Sequence, residues 1–209
     1  LDTYYEEQDE QIAEWQREWL KKDLQQFAEE NGGLGSEELK NKSIFVLMHA
    51  PLWRYSKKEQ GRQDWEKIHE MLTDYPVRLV VGGHTHEYVW ENRDGIDYVV
   101  INSSGGMSQD NERGGFFRCY LHVSVQDGSD VRVAVLKPGS ILPLDTVNSE
   151  ERSVIPRYSL KGGTVRVPAW ETGEKLDTTI SLPITNKLEK PRVYRLDWHT
   201  PRGANVKID

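Results

Sequence analysis

The sequence predicts an α/β fold, because short apolar runs are separated by an amphipathic helix and then followed by hairpin patterns. The apolar runs are Ser43–Met48 and Arg78–Val81, and the helical pattern at Asp64–Leu72 lies between them. A helix between two buried strands is typical of a crossover between parallel strands. From about Tyr88 to Leu144 the chain becomes strand-rich, which predicts a second, opposing sheet.

The first element is a predicted helix from Asp9 to Glu29. Apolar residues recur in it at intervals of three and four: Ile12, Trp15, Trp19, Leu20, Leu24 and Phe27. The segment Asn31-Gly32-Gly33 should end this helix, because these residues accept a positive φ. We expect the helix to pack on the sheet with both of its tryptophans.

Both apolar runs lead into histidines. His49 follows the first run, and Gly82-Gly83-His84-Thr85-His86 follows the second. In an extended segment His84 and His86 would point to the same side, and parallel strands would place all three imidazoles at one sheet edge. Imidazole is the commonest metal-ligating side chain. The pattern favours a metal site over the alternative of solvated histidines in surface loops.

Two hairpins are predicted after the histidines. Asp94-Gly95 separates the strands Val89–Glu91 and Ile96–Val100, and this dipeptide is a strong signal for a tight turn. The second hairpin joins Phe116–Val125 to Val131–Leu136. Cys119 lies in this second hairpin and is expected to be a small core residue.

Val46–Leu52 and Gly83–His86 resemble the last two motifs of the calcineurin-like metallophosphoesterases, an apolar strand ending in His-x-Pro and then Gly-His-x-His. The resemblance implies the C-terminal half of a metallophosphoesterase-type β-sandwich flanked by helices. It implies a hydrolase of phosphate mono- or diesters that uses two divalent or trivalent metal ions, Zn, Mn or Fe. It further implies that His49 and His84 bind one ion and His86 the other.

The family's earlier motifs, Asp-x-His, Gly-Asp and Gly-Asn-His, have no counterpart before His49, and residues 1–43 contain no histidine. We therefore expect a missing N-terminal half of the catalytic domain to be a partner of this chain. The chain alone is expected to be incomplete and inactive. The resemblance also favours a secreted or periplasmic location.

The residues after His49 are candidates for binding substrate. Arg54 can donate two N–H groups to phosphate oxygens, and Trp53 and Tyr55 could form the walls of a substrate pocket. The alternative is a surface loop whose aromatic side chains pack on the neighbouring helix. A further hypothesis is that the loop Ser103–Gly106 brings its backbone close to the metals.

Other histidines have plainer explanations. His69 lies on the predicted helix Asp64–Leu72 and is expected to be exposed. His122 lies in a predicted strand and is expected to be a packed or edge residue. His199 belongs to the terminal segment.

The predicted domains are residues 1–147, the C-terminal part of the metallophosphoesterase domain, and residues 148–209, a linker and the beginning of a β-rich accessory domain. Three short strand patterns occur in the second part: Thr164–Val167, Thr178–Leu182 and Arg192–Trp198. A β-sandwich usually needs about seven strands, so we expect this domain to be only partly present.

Composition excludes several classes of function. The net charge of −7 argues against a nucleic-acid backbone as the main partner, and no apolar stretch is long enough for a membrane span. The single cysteine cannot form an internal disulfide. Two alternatives to an enzyme remain: a non-catalytic binding module for a glycan or protein partner with a remnant metal site, and a structural fragment that folds only against its missing half.

Overall fold

The computed structural model describes residues 1–3, 11–54, 59–105, 114–149 and 152. All of these belong to the compact unit Leu1–Lys161, and the second unit is Gly162–Asp209. The three strand patterns of the predicted accessory domain lie outside the described residues. The domain boundary near residue 147 therefore stays a prediction.

The first sheet has four strands in the order β1-β2-β4-β3. Their ranges are β1 Ile44–Leu47, β2 Val77–Gly82, β3 Val89–Arg93 and β4 Ile96–Val100. The strands β1, β2 and β4 are parallel neighbours, and β3 pairs antiparallel with β4. The predicted α/β fold is confirmed, as is the hairpin at Asp94-Gly95, whose φ values of 50° and 83° suit a tight turn. The expectation that the strands after Tyr88 form the opposing sheet is wrong for this hairpin, because β4 pairs with β2 and extends the first sheet.

Three α-helices are described: α1 Glu14–Glu30, α2 Glu37–Lys40 and α3 Glu59–Leu72. A short 3-10 helix spans Leu144–Thr146. The predicted start of the first helix is wrong over residues 11–13, and residues 9 and 10 lie outside the described part. Ala13 has a ψ of 146°, which is extended rather than helical. Ile12 is already buried in this extended approach, and Arg17 Nη1 donates to its carbonyl at 3.1 Å. The apolar pattern therefore begins before the helix does.

The buried face of α1 differs from the predicted one. Its buried residues are Gln16, Leu20, Leu24 and Ala28, whereas Trp15 and Trp19 are 54% and 52% exposed. Gln16 can be buried because its amide exchanges two hydrogen bonds of 2.8 Å with the backbone of Asp2. The helix is thus rotated by about one residue, or about 100°, and the tryptophans are not its core contacts.

Helix α3 packs as predicted, with Trp65, Ile68 and Leu72 buried. The expectation that His69 is exposed is wrong, because its ring is buried under two polar partners. His69 Nδ1 lies 2.7 Å from Tyr98 Oη, and His69 Nε2 lies 2.9 Å from Asp94 Oδ2. These contacts join α3 to the β3–β4 hairpin.

The second sheet is antiparallel, in the order β5-β6-β7. Its strands are β5 Tyr120–Gln126, β6 Asp130–Lys137 and β7 Ser140–Leu142. The predicted second hairpin is confirmed, although its first strand begins at Tyr120 rather than Phe116 and β7 was not predicted. His122 lies on β5 and is exposed, and Cys119 just before it is buried, as expected of a small core residue.

Two apolar clusters lie on opposite faces of the first sheet. On one face, α1 and α3 contribute Leu20 and Trp65 to a cluster with Val46. On the other face, Leu79 packs in a cluster with Val135 of the second sheet. The resulting layers are helices, first sheet and second sheet. No helix among the described residues is long and apolar enough to cross a membrane.

Strand β1 is one outer strand of the first sheet, and β5 is one outer strand of the second sheet. Phe45 and Leu47 on β1 are 37% and 63% exposed, and Val123 and Val125 on β5 are also exposed. One face of β1 is therefore exposed among the described residues. The apolar cluster that contains Leu79 of β2 and Val135 of the second sheet includes no residue of β1.

Candidate metal centre

The carboxyl ends of the three parallel strands meet at one edge of the first sheet. Backbone hydrogen bonds extend their pairing beyond the strand ends: Gly83 N donates to His49 O at 2.8 Å, and Ile101 N donates to Gly82 O at 2.8 Å. These bonds bring the segment after β1 beside the segment after β2. Adjacent loops at this edge are where open α/β sheets bind ligands.

The imidazoles of His49 and His84 are in direct contact. His84 Nδ1 lies 3.2 Å from His49 Nε2, and the ring centroids are 5.1 Å apart. Two nitrogens that bind one tetrahedral zinc at about 2.0–2.1 Å are separated by about 3.3 Å. The observed separation therefore fits two ligands of a single ion.

His84 and His86 have left-handed backbone conformations, with φ of 64° and 51°. The sequence argument that they share one side of an extended segment is therefore wrong. Such conformations cost non-glycine residues about 1–3 kcal/mol and cluster at functional sites. In this segment Thr85 N also donates to Gly83 O at 2.7 Å, so the chain bends tightly around the histidines.

All three histidines line one cavity of about 400 Å³. The other side chains that line it come from the segment after β4 and from the start of β5: Ile101, Asn102, Ser103, Ser104, Cys119 and Tyr120. The loop after β4 thus reaches the site, although Gly106 lies outside the described residues. Sequence analysis did not identify Asn102, Cys119 or Tyr120 as part of the site.

Trp53 and Arg54 do not belong to the lining of this cavity. The Trp53 ring packs 5.5 Å from Trp65 and 5.1 Å from Tyr98, measured between ring centroids. This placement fits the alternative in which the aromatic residues pack on the helix. Tyr55 lies outside the described residues.

A buried charge cluster forms around Glu87, the residue that follows His86 in the chain. Glu87 is 1% exposed and accepts hydrogen bonds from Arg152 Nε at 3.0 Å and from Arg54 Nε at 3.4 Å. Arg152 Nη2 also lies 2.8 Å from Glu87 Oε2, and its guanidinium carbon lies 5.0 Å from the Phe116 ring centroid. Glu87 thereby joins the loop after His49 to the end of the described chain. In the sequence, this cluster is indicated only by the position of Glu87, a charged residue two positions before the strand β3.

Cys119 reaches the cavity as a neutral group. Burial raises the pKa of its thiol above the ordinary value, and a hydrogen bond from the Asn102 backbone only partly opposes this effect.

Within the described ranges, no group of three or more His, Cys, Asp or Glu side chains could hold a metal ion. The described residues therefore contain two histidines, His49 and His84, spaced as ligands of one ion, but not a full coordination shell. A dinuclear centre stays a prediction.

Residues 1–88 match the family model described as calcineurin-like phosphoesterase. No curated protein matches the chain. The matched region contains both histidine motifs, so the family recognised from them is confirmed for this part of the chain, which is consistent with a partial catalytic domain. The family implies a metal-dependent hydrolase that acts on phosphate esters.

Proposed function

We propose that this chain is part of an enzyme that hydrolyses a phosphate mono- or diester at two metal ions. The observation that carries the proposal is the 3.2 Å contact between His49 Nε2 and His84 Nδ1 at the edge where three parallel strands end. That separation suits two nitrogens on one ion, and His86 lines the same cavity.

In this proposal His49 and His84 hold one ion and His86 contributes to the other. Zn, Mn or Fe would each suit a site built from histidines and carboxylates. Bound metals of this kind lower the pKa of a coordinated water and neutralise phosphate oxygens.

Arg54 does not line the cavity, but it has a proposed role as a contact for a phosphate oxygen. Glu87 holds its guanidinium through Nε, which leaves the two terminal nitrogens for a bidentate interaction with an anion. Because Glu87 directly follows His86, this contact orients Arg54 relative to the histidine loop.

An upstream segment of the catalytic domain is the proposed partner that completes the site. It would extend the sandwich along the outer strands β1 and β5, where Phe45, Leu47, Val123 and Val125 are exposed. It would also supply the remaining ligands, including a bridging aspartate. Covering these apolar side chains would stabilise the association by the hydrophobic effect.

Metal titration of the 209-residue chain tests the histidine pair. We expect His84→Ala to weaken Co²⁺ or Zn²⁺ binding by at least about 10-fold, because it removes one of two paired ligands. His122→Ala is the matched control, since His122 is exposed on β5 outside the cavity. Equal metal affinity in the two variants would refute the proposed metal site.

Activity tests the role of the upstream segment. We expect the chain alone to release little or no nitrophenol from bis(p-nitrophenyl) phosphate with added Mn²⁺ or Zn²⁺. The same assay on the protein with its upstream segment should show turnover that is lost in His84→Ala. Robust turnover by the chain alone that disappears in His84→Ala would show that its own ligands are sufficient.

A second candidate is a non-catalytic binding module that keeps a remnant of the metal site. Metal binding without turnover in the protein with its upstream segment would support this candidate.

A further inference from the structure

Residues 1–3 lie beside the end of β1 and the segment that follows it. The Leu1 amino nitrogen donates to Leu47 O at 2.7 Å, and Ala50 N donates to Thr3 Oγ1 at 2.8 Å. Because residue numbers rise in the same direction on both sides, the two segments are parallel. Residues 1–3 therefore begin a parallel pairing with the edge of the first sheet.

The backbone of Asp2 points away from β1. Its N–H and C=O exchange two hydrogen bonds of 2.8 Å with the side-chain amide of Gln16 on α1. In a parallel ladder the N–H and C=O of one residue point to the same side, and successive residues point to opposite sides. Leu1 faces β1 and Asp2 faces α1, so the two residues follow the alternation of an extended strand.

The outer edge of β1 presents a row of backbone groups. Among the described strands, β1 has a neighbour on one side only, and Met48 N donates to Val81 O on that side at 3.0 Å. By the same alternation, the N–H and C=O groups of Phe45 and Leu47 point to the outer side. Leu47 O accepts its hydrogen bond from Leu1 there. The row continues with Leu47 N–H and with both backbone groups of Phe45.

Apolar surfaces flank this edge on both faces of the first sheet. On the helix face, the lining of a cavity of about 320 Å³ includes Leu24 and Phe27 of α1 and Ile44 of β1. On the other face, Phe45 and Leu47 are 37% and 63% exposed. A strand beside β1 would therefore be covered by apolar side chains on both faces, as is typical of strands in parallel sheets.

We infer that the outer edge of β1 accepts one further parallel β-strand, formed by the residues directly before Leu1 in the upstream segment. The bond from Leu1 fixes its register. The residue two positions before Leu1 lies opposite Val46, and it exchanges hydrogen bonds with Phe45 O and Leu47 N. The residue immediately before Leu1 points its N–H away from β1. The inference rests on the upstream segment of the proposed function but not on phosphate hydrolysis.

An N-terminal extension of the 209-residue chain tests this pairing without any metal. The extension Met-Lys-Val-Thr-Val-Val is placed before Leu1, and amide hydrogen exchange is followed by NMR. We expect the Leu47 amide to exchange at least about 10-fold more slowly than in the unextended chain, because it gains a hydrogen bond inside a packed sheet. Met48 is the reference amide and should change much less, because its N–H already donates to Val81 O.

Two proline variants of the extension form a matched pair. Proline two positions before Leu1 removes the N–H that is directed at Phe45 O, and it should abolish the protection of the Leu47 amide. Proline immediately before Leu1 removes an N–H that points away from β1, which an edge strand tolerates. The Leu47 amide should stay protected in this second variant.

Three results would overturn the inference. If the extension leaves Leu47 exchange unchanged, or slows Met48 equally, no strand has added at this edge. Equal Leu47 exchange in the two proline variants would show that the pairing lacks the inferred register. If Leu47 is protected in the unextended chain and the protection grows with protein concentration, a second copy of the chain pairs with β1 instead. Each of these results leaves the histidine site and the proposed hydrolysis standing, since those are tested by metal binding and turnover.

Discussion

Replacing Gly82 by alanine should disrupt the loop that carries His49. A Cβ atom at this position would lie 2.9 Å from Pro51 Cβ, 3.0 Å from Trp53 Cη2 and 3.1 Å from Pro51 Cα. Carbon atoms in favourable contact are about 3.5–4.0 Å apart, so the methyl group would overlap its neighbours by about 0.5–1 Å. Pro51 is buried and Trp53 packs in the aromatic cluster, so neither can move freely.

Overpacking of this kind costs about 1–3 kcal/mol. The neighbouring glycine provides a matched control. A Cβ at Gly83 would meet only His49 O at 3.8 Å and Ile101 O at 4.0 Å, which are ordinary contacts. We therefore expect Gly83→Ala to change the free energy of unfolding by no more than about 0.5 kcal/mol.

Urea denaturation followed by circular dichroism measures this difference, and coincident tryptophan fluorescence would check that the transition is two-state. Because Pro51 lies two residues after His49, Gly82→Ala should also weaken Zn²⁺ binding, whereas Gly83→Ala should not. If the two variants have equal stability and equal metal affinity, the steric argument for Gly82 is wrong.

Three further predictions concern two buried groups, Glu87 and Cys119. Glu87→Gln should lower the free energy of unfolding by about 3–5 kcal/mol, because it removes the carboxylate that neutralises the buried Arg152. Urea denaturation measures this change, with Glu59→Gln at an exposed glutamate as the control. A loss below about 1 kcal/mol for Glu87→Gln would contradict the stabilising role of the Glu87–Arg152 pair. Burial raises the pKa of the Cys119 thiol, so iodoacetamide should alkylate the folded chain at pH 8 much more slowly than the chain in urea, and equal rates would show that the thiol is accessible. The Cys119 thiol ionises at a lower pH in the unfolded chain than in the folded chain. The free energy of unfolding should therefore fall as the pH rises above the ordinary thiol pKa. Urea titrations of the wild-type chain and of Cys119→Ala at pH 8 and pH 10 measure this contribution.

The sequence predicted those features that depend on neighbours along the chain. The period of Trp65, Ile68 and Leu72 predicted the buried face of α3, and Asp94-Gly95 predicted the β3–β4 turn. The order of two apolar runs around a helix predicted that β1 and β2 are parallel and that His49 lies near His84. Helical period, turn chemistry and crossover geometry are local or topological rules, so a single sequence carries them.

Only the tertiary structure decided the features that depend on contacts between distant segments. His69 is buried because Tyr98 and Asp94 approach it from the hairpin, and Glu87 is buried because Arg152, 65 residues away, neutralises it. The same holds for the cavity wall, which receives Tyr120 from the second sheet. A polar side chain can be buried only where partners reach it. These partners are far apart in the sequence and come together only in the folded structure.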